Sequence, residues 1–136
     1  MTDKDLLLKD LCARLPYGVK VACNKNVYTV KGLDLIVTDE GDWEYAVTAK
    51  GIAPIEMDFI KPYLFPLSSM TEEQKYRCPI GIANLETFIK NESWTYLELN
   101  PDSILCFIGW LNKNHLDYRG LIEKGLAIDA TGLGVY

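Results

Sequence analysis

Apolar residues at Leu7, Leu8, Leu11, Cys12 and Leu15 recur at the spacing of one helical face, and the hydrophobic period then changes twice along the chain. Thr2 or Asp3 can accept from the free N–H groups of the first turn, and the early aspartates suit the positive end of the helix dipole. Pro16 and Gly18 stop this helix, because proline cannot donate and restricts the residue before it. Cys12 here, and Cys106 further on, lie on or beside apolar stripes and read as small buried hydrophobes.

From Val19 to Leu67 the period becomes two. "GVKVACN" alternates, "NKN" is a turn that tolerates positive φ, and "VYTVKGLDLIVTD" predicts a strand bulged at Gly32. "DEGD" then turns into "WEYAVTA", where Trp43, Tyr45, Val47 and Ala49 share a face. "IAPIEMD" follows a further turn, so short strands with frequent turns predict a small barrel or curled meander. Pro62 and Pro66 make the next stretch, "FIKPYLFPLSSMTEEQKY", an edge strand or a lid.

Ser69…Glu72 and Thr71…Gln74 both fit the reciprocal capping box of a helix that Pro79 limits. Between Ile80 and Asn100, "ANLETFIKN" has helical spacing at Leu85, Phe88 and Ile89. The same letters pair as a strand with "WTYLELN" across "NES", and two strands is the reading adopted. Asn100 and Pro101 then open a helix with the stripe Ile104, Ile108, Leu111, which His115 continues at the next step. A one-turn helix from Tyr118 to Lys124, ended by Gly125, and a strand "LAIDA" complete the pattern. The expectation is an α+β fold in one domain, 1–136. It comprises an N-terminal helix (1–18), a small barrel-like antiparallel β unit or meander (19–67) and a helical, partly β C-terminal half (68–136).

Composition adds bounds. A chain of 136 residues, 49% hydrophobic and 24% charged, suits one ordinary domain. At that length about two-thirds of the accessible surface can be buried, so the core requires neither a metal nor a disulfide. Cys12, Cys23, Cys78 and Cys106 are scattered, and with a single histidine they make no zinc set, so no metal or cofactor is expected. The N-terminus lacks a basic region leading into an apolar one, and no apolar run approaches the ~20 residues of a membrane span. The expectation is a cytoplasmic protein with reduced thiols. Net charge is −5 with the lysines spread singly, which makes nucleic acid a poor partner.

Three segments, "LLLKDLCARLPYGV", "IKPYLFPLSSMTEEQ" and "WLNKNHLDYRGLIEKGLAIDA", together resemble a family of short, uncharacterised proteins of gut anaerobes and of their prophages and other mobile elements. The resemblance spans about half the chain and implies no activity, cofactor or catalytic residue. It implies a genetic setting in which small proteins often act by binding a host or phage component.

The one catalytic constellation on offer is His115 as general base, Asp117 as its orienting carboxylate and Arg119 as an oxyanion or phosphate clamp. The competing reading is structural. His115 turns toward the core, Asp117 caps the "YRGLIEK" turn, and Arg119 pairs with Asp117 or Glu123. Without a visible nucleophile the structural reading is preferred. "DEGDWE" lacks the ligand spacing of a calcium loop, "TGLGVY" lacks the strand and helix of a phosphate loop, and Ser68 and Ser69 sit on no nucleophile elbow.

Eight tyrosines and three tryptophans exceed what a core of this size hides easily, and many lie on short strands or irregular segments. Tyr28, Trp43, Tyr45, Tyr63, Trp94 and Tyr96 are therefore the candidate interaction surface. The functional expectation is a non-enzymatic interaction module for a protein partner, associated with a mobile element. The alternatives are a small hydrolase- or nuclease-like enzyme using the histidine cluster, or a single-strand nucleic-acid binder using the β unit's aromatics.

Overall fold

A computed structural model describes residues 2–91 and 99–136. Its class is α+β, as the pattern predicts. The first helix, α1 (Asp3–Arg14), opens on Thr2, one of the two expected caps, and adds a reciprocal box: Thr2 accepts from the Asp5 N–H while the Asp5 carboxylate accepts from Thr2. Leu7 and Leu11 are its buried apolar residues, but Cys12 is exposed. The buried face instead runs through Asp10 and Arg14, one i+4 step apart.

Strands β1 (Lys20–Cys23) and β2 (Asn26–Thr29) form a tight hairpin with Asn24 in the left-handed region at φ 56°. Next come β3 (Gly32–Val37), β4 (Trp43–Thr48) and the two-residue β5 (Ile55–Glu56), an antiparallel sheet of its own in the order β3-β4-β5. Lys31 donates to the Thr48 carbonyl that Gly32 also faces, so two residues oppose one at the predicted bulge. No closed barrel forms among the described residues; the β unit divides between two sheets.

The strand β6 (Lys61–Pro66) departs from expectation. It is central, with antiparallel β1 and, further along the same edge, the parallel two-residue strand β7 (Leu116–Asp117), and with the parallel two-residue strand β8 (Ile128–Asp129) on the opposite edge. The phase of the prolines makes this possible. Phe65 donates to the His115 carbonyl on the β7 side, whereas the Leu64 carbonyl accepts from the Ala130 N–H on the β8 side. The nitrogens of Pro62 and Pro66, in phase with Leu64, therefore face the β8 edge, where pairing covers only Tyr63 and Leu64. Leu64 enters a core with Leu11, Val21, Val47 and Leu121, while Phe65 packs on a second core built from Leu85, Phe88, Phe107, Leu111 and Leu116. A strand from the β unit thus divides the two cores and pairs with the C-terminal half.

The second core is helical. Thr71 caps α2 (Glu72–Tyr76) through the predicted reciprocal bonds with Gln74. Residues Ile82–Asn91 form helix α3, not the predicted strand. Leu85 and Phe88 bury one face, and the side chains of Asn84, Thr87 and Asn91 each bond the carbonyl four residues back, which a helix offers and a strand does not. The partner strand predicted across "NES" falls largely outside the described residues. Helix α4 (Pro101–Lys113) starts as read, with Asn100 accepting from the Ser103 N–H. Phe107 and Leu111 are its apolar anchors; Ile104 and Ile108 are half-buried, and Cys106 is exposed. No helix among the described residues is long and apolar enough to cross a membrane.

Candidate functional site

The three residues of the candidate catalytic constellation take separate places in the structure. Helix α4 ends at Lys113, and His115 adopts φ 57°, so it does not extend the helical stripe. Histidine is among the residues that enter this left-handed region more readily, and the reversal sends the chain directly into β7. The half-buried imidazole stacks on the Tyr136 ring at 3.7 Å and 11°. Its pKa is pushed down to about 4 by burial, with Arg14 and Lys20 adding repulsion, so the ring is neutral near pH 7. Tyr136 is pushed up to about 12, chiefly by burial. Its hydroxyl accepts from the Lys20 N–H at 2.9 Å and donates to the Tyr63 carbonyl at 2.8 Å.

Asp117 caps as predicted: its two oxygens accept from the N–H groups of Leu121 and Ile122 at 3.0 and 2.9 Å. What it caps is a run of turns over 121–125, where a one-turn helix was expected. Arg119 pairs with neither Asp117 nor Glu123. It reaches Asp10 of α1 at 2.8 Å. Asp10 also binds Arg14 through Nε at 2.8 Å and Nη2 at 3.1 Å, and that same Nη2 donates to the Leu116 carbonyl at 2.6 Å. Asp10 and Arg14 are 0% exposed, and the Tyr118 ring lies 5.3 Å from the Arg14 guanidinium and 4.6 Å from that of Arg119. This polar knot ties α1 to the segment after α4. No nucleophile joins it, and among the described residues no cluster of histidine, cysteine and acidic side chains is arranged to hold a metal. Its signal in the sequence was the i+4 Asp10–Arg14 pair in phase with Leu7 and Leu11.

The candidate aromatics separate into two groups. Tyr28 packs against the first core, and Tyr63 is half-buried in the central strand. Trp94 and Tyr96 lie outside the described residues. Trp43 and Tyr45, by contrast, stand on an open surface. The register pairs Leu33 with Val47, Leu35 with Tyr45 and Val37 with Trp43, so these six residues share one face of the β3–β4 hairpin. Its base is fixed: Val47 is fully buried and Leu33 packs on the core. Beyond the base, Leu35, Tyr45, Val37 and Trp43 are 50%, 46%, 54% and 70% exposed. Leu35 and Val37 escaped the aromatic-based reading, although alternation along β3 carries them.

This ladder is apolar, contiguous and rooted in the core, whereas the hairpin's acidic residues lie in its turn and at positions of the opposite phase. Between Gly32 and Thr48 there are Asp34, Asp39, Glu40, Asp42 and Glu44, with no lysine or arginine. Lys4 of α1 binds Glu44 at 2.8 Å and Asp58 at 3.2 Å, which raises its pKa. A cavity of about 140 Å³ beside Tyr45, lined also by Leu8, Met57, Lys4, Asp5 and Glu44, extends the surface toward α1. Contact with this face would exclude water from Leu35, Val37, Trp43 and Tyr45. No family model, no curated protein and no solved structure matches this chain.

Proposed function

We propose that this chain is a non-enzymatic interaction module that binds a protein partner through the exposed face of the β3–β4 hairpin. The observation that carries the reading is the pair of cross-strand contacts, Leu35 with Tyr45 and Val37 with Trp43, left to solvent on a hairpin whose base is locked into the core. Large rigid aromatics surrounded by polar groups supply most of the binding energy at protein interfaces, because they desolvate much area for little lost rotamer entropy. The five carboxylates of the same hairpin repel phosphate, which disfavours the nucleic-acid alternative. The dispersal of His115, Asp117 and Arg119 into separate structural roles disfavours the enzymatic one. A cytoplasmic role beside a mobile element fits the resemblance to short proteins of gut anaerobes.

The test compares the wild-type chain with a Trp43→Ser, Tyr45→Ser double variant. A protein retained by the tagged wild type in its native host is identified, purified and titrated against both chains by calorimetry. At least a tenfold loss of affinity in the variant is expected. Equal affinity removes the ladder from the interface. A turnover activity abolished by His115→Ala or Arg119→Ala overturns the reading altogether.

A further inference from the structure

The outer edge of β3 has no strand beside it among the described residues, and its backbone is set to receive one. The Thr38 N–H donates to the Asp42 carbonyl at 2.8 Å, which identifies 38 and 42 as a hydrogen-bonded pair of the ladder. Alternation then makes Leu33, Leu35 and Val37 members of non-hydrogen-bonded pairs, so their N–H and C=O groups point away from β4. Leu35 bears this out: its N–H is taken by the side chain of its neighbour, Asp34 Oδ1, at 3.0 Å. The residues whose backbone faces outward are therefore those whose side chains form the apolar ladder.

We infer that the β3 edge accepts an added β-strand from a protein partner, an extended segment that alternates apolar with basic residues. This rests on the interaction reading above and names its mode. A strand laid along β3 satisfies the outward donors and acceptors, and its apolar side chains extend the ladder beside Leu35 and Val37. Its basic residues meet Asp34 and the carboxylates toward the turn, Asp39, Glu40 and Asp42. Asp34 has two roles here. Unbound, it covers the Leu35 donor and protects an exposed edge from indiscriminate pairing. An incoming lysine or arginine draws that carboxylate away and frees the donor for the new ladder. A second copy of this chain is the poorer occupant, because it brings to the edge the same acidic hairpin, which carries no lysine or arginine between Gly32 and Thr48.

The probe is a nine-residue peptide alternating lysine with valine and threonine, titrated into the full ¹⁵N-labelled chain. Two controls carry glutamate for lysine, or N-methyl groups at alternate residues. Expected are amide shifts and slowed hydrogen exchange at Leu33, Leu35 and Val37 with the lysine peptide, and at least fivefold weaker binding for both controls. Leu35→Pro, which deletes the outward N–H, is expected to bind at least fivefold more weakly than Leu35→Ala, which keeps it. Should Leu35→Pro fail to fold, the N-methylated peptide tests the same hydrogen bonds on an unaltered protein. No shift at millimolar peptide, or equal binding by the glutamate peptide, overturns the proposal. Shifts limited to Trp43 and Tyr45, with Leu35→Pro equal to Leu35→Ala, remove the edge while leaving the interaction module standing. Self-association through β3 in sedimentation likewise overturns the choice of occupant.

Discussion

The rings of His115 and Tyr136 lie 3.7 Å apart and nearly parallel, so the chain's single histidine is a stacking surface for its last residue. The contact joins the end of α4 to β1 and β6, because the Tyr136 hydroxyl bonds Lys20 and Tyr63 on those strands. Lys20 adds a bond from its ammonium to the Val135 carbonyl at 2.6 Å.

A pH dependence follows. The folded-state pKa of His115 is about 4 against 6.5 unfolded, so the unfolded chain binds the extra proton first. The stability held by the neutral ring is complete above pH 6.5 and is lost as pH falls toward 4, roughly 2 kcal/mol once partial exposure is discounted. Proton NMR of the single imidazole is expected to show no titration between pH 8 and 5.5. His115→Asn, which also tolerates positive φ, is expected to flatten this part of the urea-midpoint profile. An imidazole titrating near 6.5 refutes the assignment.

The buried knot predicts asymmetric costs. Asp10→Ala strands the Arg14 guanidinium away from water and is expected to cost about 3–5 kcal/mol in urea unfolding. Replacing both partners, Asp10→Leu with Arg14→Met, is expected to cost less than the sum of the single changes, since the two fully buried charges then leave together and only the part-exposed Arg119 loses its partner. Additive losses contradict a coupled pair.

Asp117→Ala removes acceptors from two backbone N–H groups, those of Leu121 and Ile122, and is expected to cost about 2 kcal/mol. Leu121 is fully buried in the first core, so faster amide exchange should extend over 121–126. Peptide binding at β3 is expected to remain unchanged; a lost affinity connects the two regions and contradicts their separation.

Thiol reactivity separates the cysteines. Cys12 and Cys106 are exposed and are expected to react with a disulfide reagent in the native state, whereas Cys78 is buried, its pKa raised by desolvation, and reacts only on opening. Mass spectrometry of the early products reads this directly. Early labelling of Cys78 contradicts the packing of the second core.

The hairpin face should be almost free of folding cost. Trp43→Ser is expected to change stability by less than about 0.5 kcal/mol, whereas Leu64→Ala in the central strand is expected to cost about 2–5 kcal/mol. Equal effects on thermal unfolding place Trp43 in the core, where it has no binding role.

Local signals in the sequence decided much of this structure. Thr2 with Asp5, Thr71 with Gln74, and Asn100 before Pro101 set three helix starts, because caps and boxes act over three or four residues. The Gly32 bulge, the alternation through Trp43 and Tyr45, and the Asp117 cap are local for the same reason. Only the tertiary structure decided where distant segments met. Residues 82–91 were strand-like or helical until Leu85 and Phe88 found a core to face. Arg119 took Asp10, 109 residues away, over the carboxylates near it in sequence. Pro62 and Pro66 were admitted to a central strand because β8, on the edge their nitrogens face, pairs only with Tyr63 and Leu64. Burial and long-range pairing are properties of three-dimensional proximity, so Trp43 and Tyr45 could be read as sharing a face, while only the structure shows which candidate aromatics stay open and that Leu35 and Val37 continue their face.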